Sequence, residues 1–155
     1  MNRENSKSGI SGVDAGLLVL RIGTGVSILV LFGLAKLQAG SAYIHTGQWQ
    51  FVDFNRKLGL PAPVLVAFLQ TLNESVGSLL VACGLMTRYA AASAAIGFAV
   101  ATLCSLKAGE PTWLLAAYYC MMFTTVLLAG PGQISIDHLL QAKSSAKLTD
   151  RVAAE

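Results

Sequence analysis

Two residues in this sequence combine a full charge with a strongly apolar setting, which makes them the first candidates for chemistry. Arg21 is the one charged residue between Asp14 and Lys36, and Glu74 is the one charged residue in the apolar segment that begins at Pro61. Ionisable residues at membrane depth are costly, and they usually face the interior of a helix bundle and are paired. An arginine there could orient a carbonyl oxygen or an anion, and a glutamic acid could carry a proton.

The predicted depths of Arg21 and Glu74 make a pair between them feasible. Measured from the same end of the bundle at 1.5 Å per residue, Arg21 lies at about 8–10 Å and Glu74 at about 16 Å. The offset of about 6–8 Å is within reach of two extended side chains. Such a pair could fix the register of two helices or line a ligand or quinone pocket. Without a partner, Glu74 would be driven toward its neutral form by desolvation.

The composition places both residues in a membrane protein. Of the 155 residues, 54% are apolar and 12% are charged, whereas soluble domains carry about 25% charged residues. This excludes a disordered chain, a nucleic-acid-binding domain and a disulfide scaffold, and it argues against a soluble enzyme. The net charge of +3 is too small and too scattered for a nucleic acid partner. The composition therefore predicts a small polytopic protein in contact with the lipid bilayer.

Charged residues mark the ends of four predicted membrane-spanning helices, near residues 15–35, 62–86, 89–106 and 112–129. The last two have about 18 residues, close to the shortest length that crosses a hydrocarbon core. Arg21 costs its span about 2.5–3.5 kcal/mol, which the many apolar residues around it offset at about 0.3–0.6 kcal/mol each. A cleaved signal peptide is the alternative for this first segment, but an arginine within its apolar region argues against it.

The long loop after the first span contains an amphipathic pattern. Phe51, Phe54 and Leu58 repeat at helical spacing, opposite charged residues. The pattern predicts a short helix lying in the membrane interface, and an ordinary solvated loop is the alternative. After the fourth span, Ser135 is expected to cap a surface helix over residues 136–143.

The predicted fold is an all-α, four-span antiparallel bundle with an interfacial helix after span one. Six lysines and arginines lie on the side of the termini and four on the other, which favours cytoplasmic N and C termini in a multi-pass protein of the cell membrane. The chain divides into a cytoplasmic tail (1–14), a membrane domain (15–141) and a charged C-terminal tail (142–155).

The cysteines and histidines carry weaker signals. Cys83, Cys104 and Cys120 lie in three different predicted spans and lack the spacing of a metal site or a redox pair. We therefore expect no metal. His45 and His138 fall outside the spans, which excludes a bis-histidine haem inside the bundle.

Short motifs along the chain resemble the DoxX family of integral membrane proteins. In chain order they are Leu20-Arg21, Gly33 with Lys36, Gly59-Leu60-Pro61-Ala62-Pro63, Glu74 with Gly77, Gly84-Leu85-Met86-Thr87-Arg88, and Gly130-Pro131-Gly132 with Ser135 and Asp137. The resemblance extends from about residue 15 to residue 141, and it rests on the order and spacing of the motifs together. It implies four membrane helices. The family takes its name from a subunit associated with a terminal quinol oxidase, and related proteins include the membrane subunit of thiosulfate:quinone oxidoreductase.

Carried over residue by residue, the resemblance marks five polar positions: Arg21, Lys36, Glu74, Arg88 and Asp137. Many members have a histidine just before the glycine of span one, and Phe32 occupies that position here. A role that needs this imidazole is therefore not expected.

The resemblance implies a membrane subunit that engages a quinone or a redox partner subunit and has no redox centre of its own. In this hypothesis Arg21 orients a quinone carbonyl or its reduced anion, Glu74 relays a proton, and no cofactor is bound covalently. The alternative is a non-enzymatic small-molecule carrier or assembly factor, with the Arg21–Glu74 pair as a substrate site or a structural lock. A lateral apolar opening beside both residues would favour the first hypothesis. A polar path to both faces would favour the second.

Overall fold

The computed structural model describes the backbone of residues 11–153 and the side chains of residues 11–145. All regular structure in this part of the chain is helical. The helices are α1 (Gly12–Thr46), α2 (Gln50–Lys57), α3 (Pro63–Cys83), α4 (Thr87–Ala108), α5 (Trp113–Ala129) and α6 (Ile136–Ala153). Of the predicted tail at residues 1–14, the first ten residues lie outside the described part.

Three of these helices, α1, α3 and α4, are long and apolar enough to cross a membrane. The apolar helix α5 is shorter, with 17 residues. Large apolar side chains point outward around the bundle: Val19 is 71% exposed, Ile96 67% and Leu128 76%. A surface this apolar suits lipid rather than water. The prediction of an all-α, multi-pass membrane protein is confirmed.

Helix α1 continues well beyond its predicted end near residue 35. Lys36 marks that predicted boundary, because a lysine exposed to lipid is costly. In the structure its ammonium group lies inside the bundle, 2.6 Å from a carboxylate oxygen of Glu74, so the charge does not require the helix to stop. The helix ends before Gly47, whose φ of 66° forms a left-handed cap.

Local capping signals define the end of the bundle where α1 and α6 begin, which we call the termini end. Ser11 caps α1 through the Asp14 N–H, and the Asp14 carboxylate accepts the Ser11 N–H in return. Asp14 also accepts the Gln133 N–H at 2.9 Å, which joins the start of α1 to the loop after α5. The predicted Ser135 cap is confirmed, since its hydroxyl accepts the His138 N–H. The helix that follows extends to Ala153 rather than to residue 143.

Small residues allow the long helices to approach closely. A Cβ atom on Gly25 would lie 2.5 Å from the Ser78 carbonyl oxygen, so α1 and α3 touch backbone to backbone there. Helix α4 presents an alanine-rich face to the core, and Phe98 stacks on Phe123 of α5 with ring centroids 5.7 Å apart. The buried apolar residues of this core are Ile28, Val81, Ala90, Ala91, Ala94, Ala95, Phe98, Tyr119, Phe123 and Val126.

The predicted amphipathic helix after span one is present as α2. It packs against α3 at the other end of the bundle, which we call the α2 end. Its Val52 is buried together with Trp49 and Ala67, whereas Asp53 and Arg56 face outward and pair with each other. The α2 end therefore carries an aromatic layer beneath an exposed charged face.

Candidate functional site

Two π-helical turns face each other across the contact between α1 and α3. They span Leu29–Gly33 in α1 and Asn73–Gly77 in α3. A Cβ atom on Gly33 would lie 2.6 Å from the Glu74 carbonyl oxygen, so only glycine permits this approach without a shift of backbone. Single π-helical turns within α-helices are rare and often occur at functional sites. Their apposition fixes the position of Glu74.

Glu74 forms a buried ion pair with Lys36. The Lys36 ammonium donates to both carboxylate oxygens, at 2.7 and 2.6 Å. The Glu74 side chain is 5% exposed and the Lys36 side chain 20%. The ammonium also lies 4.0 Å from the centre of the Phe51 ring, at cation–π distance. The pair thus joins α1 to α3 and, through Phe51, to α2.

The structure does not bring Arg21 and Glu74 together. A Cβ atom on Gly84 would overlap the Arg21 guanidinium, so Arg21 is level with Gly84, about 15 Å along α3 from Glu74 at 1.5 Å per residue. The sequence estimate takes the start of the first span as level with the end of the second. In the structure the start of α1 extends past the end of α3, so Lys36 and not Arg21 is level with the carboxylate.

Arg21 instead forms its contacts at the termini end of the bundle. Its side chain is buried, and Nη2 donates to the Ile134 carbonyl oxygen at 2.5 Å. Its Nε and Nη1 atoms have no hydrogen-bond partner among the described residues. The nearby Asp137 carboxylate provides the opposite charge. Arg21 therefore links α1 to the segment that leads into α6.

Asp137 caps the start of α4. It accepts hydrogen bonds from the Met86 N–H and from the N–H and hydroxyl of Thr87, at 2.7–2.8 Å. Burial opposes the charged form, but these hydrogen bonds and the positive charge of Arg21 outweigh it and lower the pKa of Asp137 below its ordinary value. The fifth family position, Arg88, is exposed, with its guanidinium against Gly130. The five positions thus divide between two sites: Lys36 and Glu74 meet near the middle of α3, and Arg21, Arg88 and Asp137 lie at the termini end.

A long apolar groove, which we call the lateral groove, opens between α3 and α4 with a volume of about 790 Å³. Its lining includes residues of α4 from Tyr89 to Ser105. At the α2 end of the bundle the lining also includes Phe51 and Phe54 of α2. Its polar side chains include Asn55, Gln70, Asn73, Ser93 and Ser105.

Two of these polar side chains come from the same part of α3 as Glu74. The Asn73 amide lies close against Gly97, where an added Cβ would be 3.1 Å from Nδ2. The Gln70 amide lies near the Glu74 carboxylate. The groove thus has apolar walls and a polar patch at the level of the ion pair.

A second depression, open to the surface over most of its extent and here called the interfacial cavity, lies at the α2 end with a volume of about 520 Å³. Its lining includes Lys36, three alanines of α1, and the residues that begin α2. Phe51 and Phe54 line both this cavity and the lateral groove. Lys36 therefore lines the interfacial cavity, whereas Gln70 lines the lateral groove.

Sequence reasoning missed the Lys36–Glu74 pair and the amides beside it. The signal for Lys36 was its position directly after a strongly apolar segment, where a helix that continues would keep it against the second span. Asn73 and Gln70 gave no specific signal, because isolated amides occur in many helices. Among the described residues, no group of three or more His, Cys, Asp or Glu side chains could hold a metal ion.

A family model described as DoxX matches residues 16–107 of the chain. The matched segment contains α1 from its first turn through nearly all of α4, with Arg21, Lys36, Glu74 and Arg88, and it stops before Asp137. Neither a curated protein nor a solved structure matches the chain significantly.

Proposed function

Because the chain belongs to the DoxX family of integral membrane proteins, we propose that it is a membrane subunit that binds a quinone in the lateral groove and works with a redox partner subunit. The observation that carries the proposal is the groove itself, an apolar cleft of about 790 Å³ beside a buried ion pair. In this proposal the chain supplies the binding site, and the partner supplies or receives the electrons.

The proposed arrangement in the bilayer has four spans, formed by α1, α3, α4 and α5. The 17 residues of α5 extend about 25 Å at 1.5 Å per residue, which is at the short end of what crosses the hydrocarbon core. Both termini lie in the cytoplasm, in keeping with the larger number of lysines and arginines on that side. Helix α2 then lies in the opposite interface, with its charged face toward water.

The groove suits a quinone in size and in chemistry. Ligand pockets commonly measure about 300–1,000 Å³, with apolar walls and a few polar groups, and this groove has both properties. Its lining along α4 extends over about 24 Å at 1.5 Å per residue, enough for a long isoprenoid tail. The groove faces lipid between α3 and α4, so an apolar molecule could enter it from the bilayer.

The polar patch of the groove provides the residues that would hold the quinone head group. When bound, a quinone supplies two-electron redox chemistry coupled to proton uptake. The amide N–H groups of Asn73 and Gln70 can donate hydrogen bonds to a carbonyl oxygen. Glu74 follows Asn73 directly and lies about one helical turn after Gln70, and in this proposal it holds a proton for the head group. Arg21 is remote from the groove lining and has a positioning role in the bundle.

The packing between the two ends of the bundle favours this proposal over a carrier. A carrier for a polar molecule needs a polar path to both faces. Below Glu74, toward the termini end, Ile28 and Val81 are fully buried, and α1 touches α3 at Gly25. This apolar packing separates Glu74 from Arg21.

Mass spectrometry of a solvent extract from the gently purified protein tests the proposal. We expect near-stoichiometric quinone with the wild-type chain. Ala101 lines the groove, so Ala101→Trp should fill it and release the quinone. Leu103 is 59% exposed and is absent from the groove lining. Leu103→Trp is therefore the matched control and should retain quinone at the wild-type level.

Two outcomes would refute the proposal. One is a folded wild-type protein that carries no quinone, even after purification from quinone-rich membranes. The other is quinone retained equally by Ala101→Trp and Leu103→Trp, which would place the molecule elsewhere on the apolar surface. Thermal unfolding of each variant in detergent establishes that it is folded.

A further inference from the structure

The interfacial cavity is positioned to connect the Lys36–Glu74 pair with water at one end of the bundle. Its polar lining consists of Lys36, Gln48 and Gln50. Gln48 and Gln50 are exposed, in the turn before α2 and at its first residue, so the mouth of the cavity lies at the α2 end. Trp49, Phe51 and Phe54 form the aromatic part of its wall. The cavity therefore leads from the exposed loop to a lysine ammonium.

Within the part of the chain that the structure describes, Lys36 is the charged residue that contacts Glu74. Its Nζ atom contacts both carboxylate oxygens, and its side chain is 20% exposed while that of Glu74 is 5% exposed. On α2, Asp53 and Arg56 pair with each other at 2.7 Å, with more than half of each side chain exposed. A proton that reaches Glu74 from the α2 end would therefore pass Lys36.

The opposite direction offers no comparable route within the described residues. Hydroxyl groups do occur along it, but their protons are committed within the bundle. Ser75, Ser78 and Ser27 each donate to a carbonyl oxygen of their own helix. Tyr119 donates to the Ser27 hydroxyl, and Thr24 donates to the Met122 sulfur. The next charged side chain in that direction is Arg21, about 15 Å away along the helix axis.

We propose that Glu74 exchanges its proton with the α2 end alone, through Lys36 and the interfacial cavity. The Lys36 ammonium donates a proton to the carboxylate, and the neutral amine then takes a proton from a hydronium ion in the cavity, which becomes water. The reverse sequence releases the proton to the same side. Any ligand in the lateral groove then exchanges protons with that face of the membrane. This last consequence rests on the proposed quinone site, whereas the exchange itself does not.

One-sided titration of Glu74 in vesicles tests the proposal without a quinone. A hydrophobic carbodiimide crosses the bilayer and modifies carboxyl groups that are protonated in apolar surroundings. The full chain is reconstituted in vesicles, and an affinity tag separates the two orientations. The external pH is lowered while the internal pH stays neutral, and modification of Glu74 is measured by peptide mass spectrometry. Glu74→Gln provides the blank.

We expect external acid to increase modification only in vesicles with the α2 end outside. The protonated fraction of a mostly ionised carboxyl rises about tenfold for each pH unit, so the increase should be large. Equal responses in the two orientations, or a response confined to the termini end, would overturn the proposal.

A variant in the cavity wall separates access from the ion pair itself. Ala39 lines the interfacial cavity, and Ala39→Trp should slow the response to external acid at least several-fold while Lys36 and Glu74 stay paired. Leu37 is 43% exposed and is absent from the cavity lining, so Leu37→Trp should respond like the wild type. Equal rates in these two variants would show that protons do not pass through the cavity. Because quinone content is measured separately, its absence would refute the proposed function and leave this result unaffected.

Discussion

Replacing Lys36 and replacing Glu74 should lower the free energy of unfolding by different amounts. Lys36→Met removes the ion-pair partner of Glu74, whose side chain is 5% exposed, so the carboxyl must either stay charged without a partner or take up a proton. Removing one partner of a buried pair typically costs about 3–5 kcal/mol. Since Lys36 is 20% exposed, we take the lower end, about 3 kcal/mol. For a chain of this length that corresponds to a fall of about 6–12 °C in melting temperature.

The reciprocal variant, Glu74→Met, should cost less, about 1–2 kcal/mol, because the freed lysine can extend its ammonium group into the interfacial cavity. The double variant, with methionine at both positions, should recover most of the loss, since a buried pair and an apolar replacement of similar volume are often close in stability. About 1 kcal/mol should remain lost, because the cation–π contact of Lys36 with Phe51, at 4.0 Å, is absent.

Thermal unfolding in detergent, followed by intrinsic fluorescence, measures all four proteins. Arg56→Met is the matched control for the loss of a cation, because Arg56 pairs with Asp53 at the surface and should contribute less than about 1 kcal/mol. The reasoning fails if Lys36→Met is no less stable than Arg56→Met. It also fails if the double variant is as unstable as the sum of the two single variants, since the two residues would then not be coupled.

Two further predictions concern the backbone contact at the pair and the cap at the termini end. Gly33→Ala should lower the free energy of unfolding by about 1–3 kcal/mol, because its Cβ would lie 2.6 Å from the Glu74 carbonyl oxygen. Gly23→Ala, with nothing within 4 Å of the added atom, should be neutral or slightly stabilising, and equal losses in the two, measured by thermal unfolding, would contradict the close contact. Asp137→Asn should cost about 1 kcal/mol at neutral pH. Because the pKa of Asp137 is lowered by folding, its contribution to the free energy of unfolding is complete above the unfolded pKa of about 3.9 and is lost as the pH falls through the folded pKa. Stability should therefore depend less on pH over this acid range in Asp137→Asn than in the wild type. Equal pH dependence of the two proteins in thermal unfolding would refute that role.

Much of the fold could be predicted because its signals are local or compositional. The apolar content required a bilayer, and apolar segments bounded by charged residues predicted helices near their observed positions. The spacing of Phe51, Phe54 and Leu58 predicted α2, and Ser135 predicted the cap of α6, because amphipathic periodicity and capping involve residues within a few positions of each other.

The error at Lys36 has a physical cause. A lysine next to an apolar segment ordinarily marks the membrane boundary, since an unpaired charge in lipid is costly. Whether it is unpaired depends on a carboxylate 38 positions away, and no local pattern contains that information. The expected pair of Arg21 and Glu74 has a different cause: it takes the start of the first span as level with the end of the second, whereas the start of α1 extends past the end of α3.

By itself the sequence determined the class of protein, the approximate positions of the helices and the five polar residues that match the family. Only the tertiary structure decided which of these charges meet. Their partners depend on the register between α1 and α3, which is set by glycine contacts at Gly25 and Gly33 and by two π-helical turns that each change the phase of a helix. A small shift in the phase or in the end of a helix moves a side chain to a different neighbour. For this reason Lys36 pairs with Glu74, and Arg21 donates to the Ile134 carbonyl oxygen at the termini end.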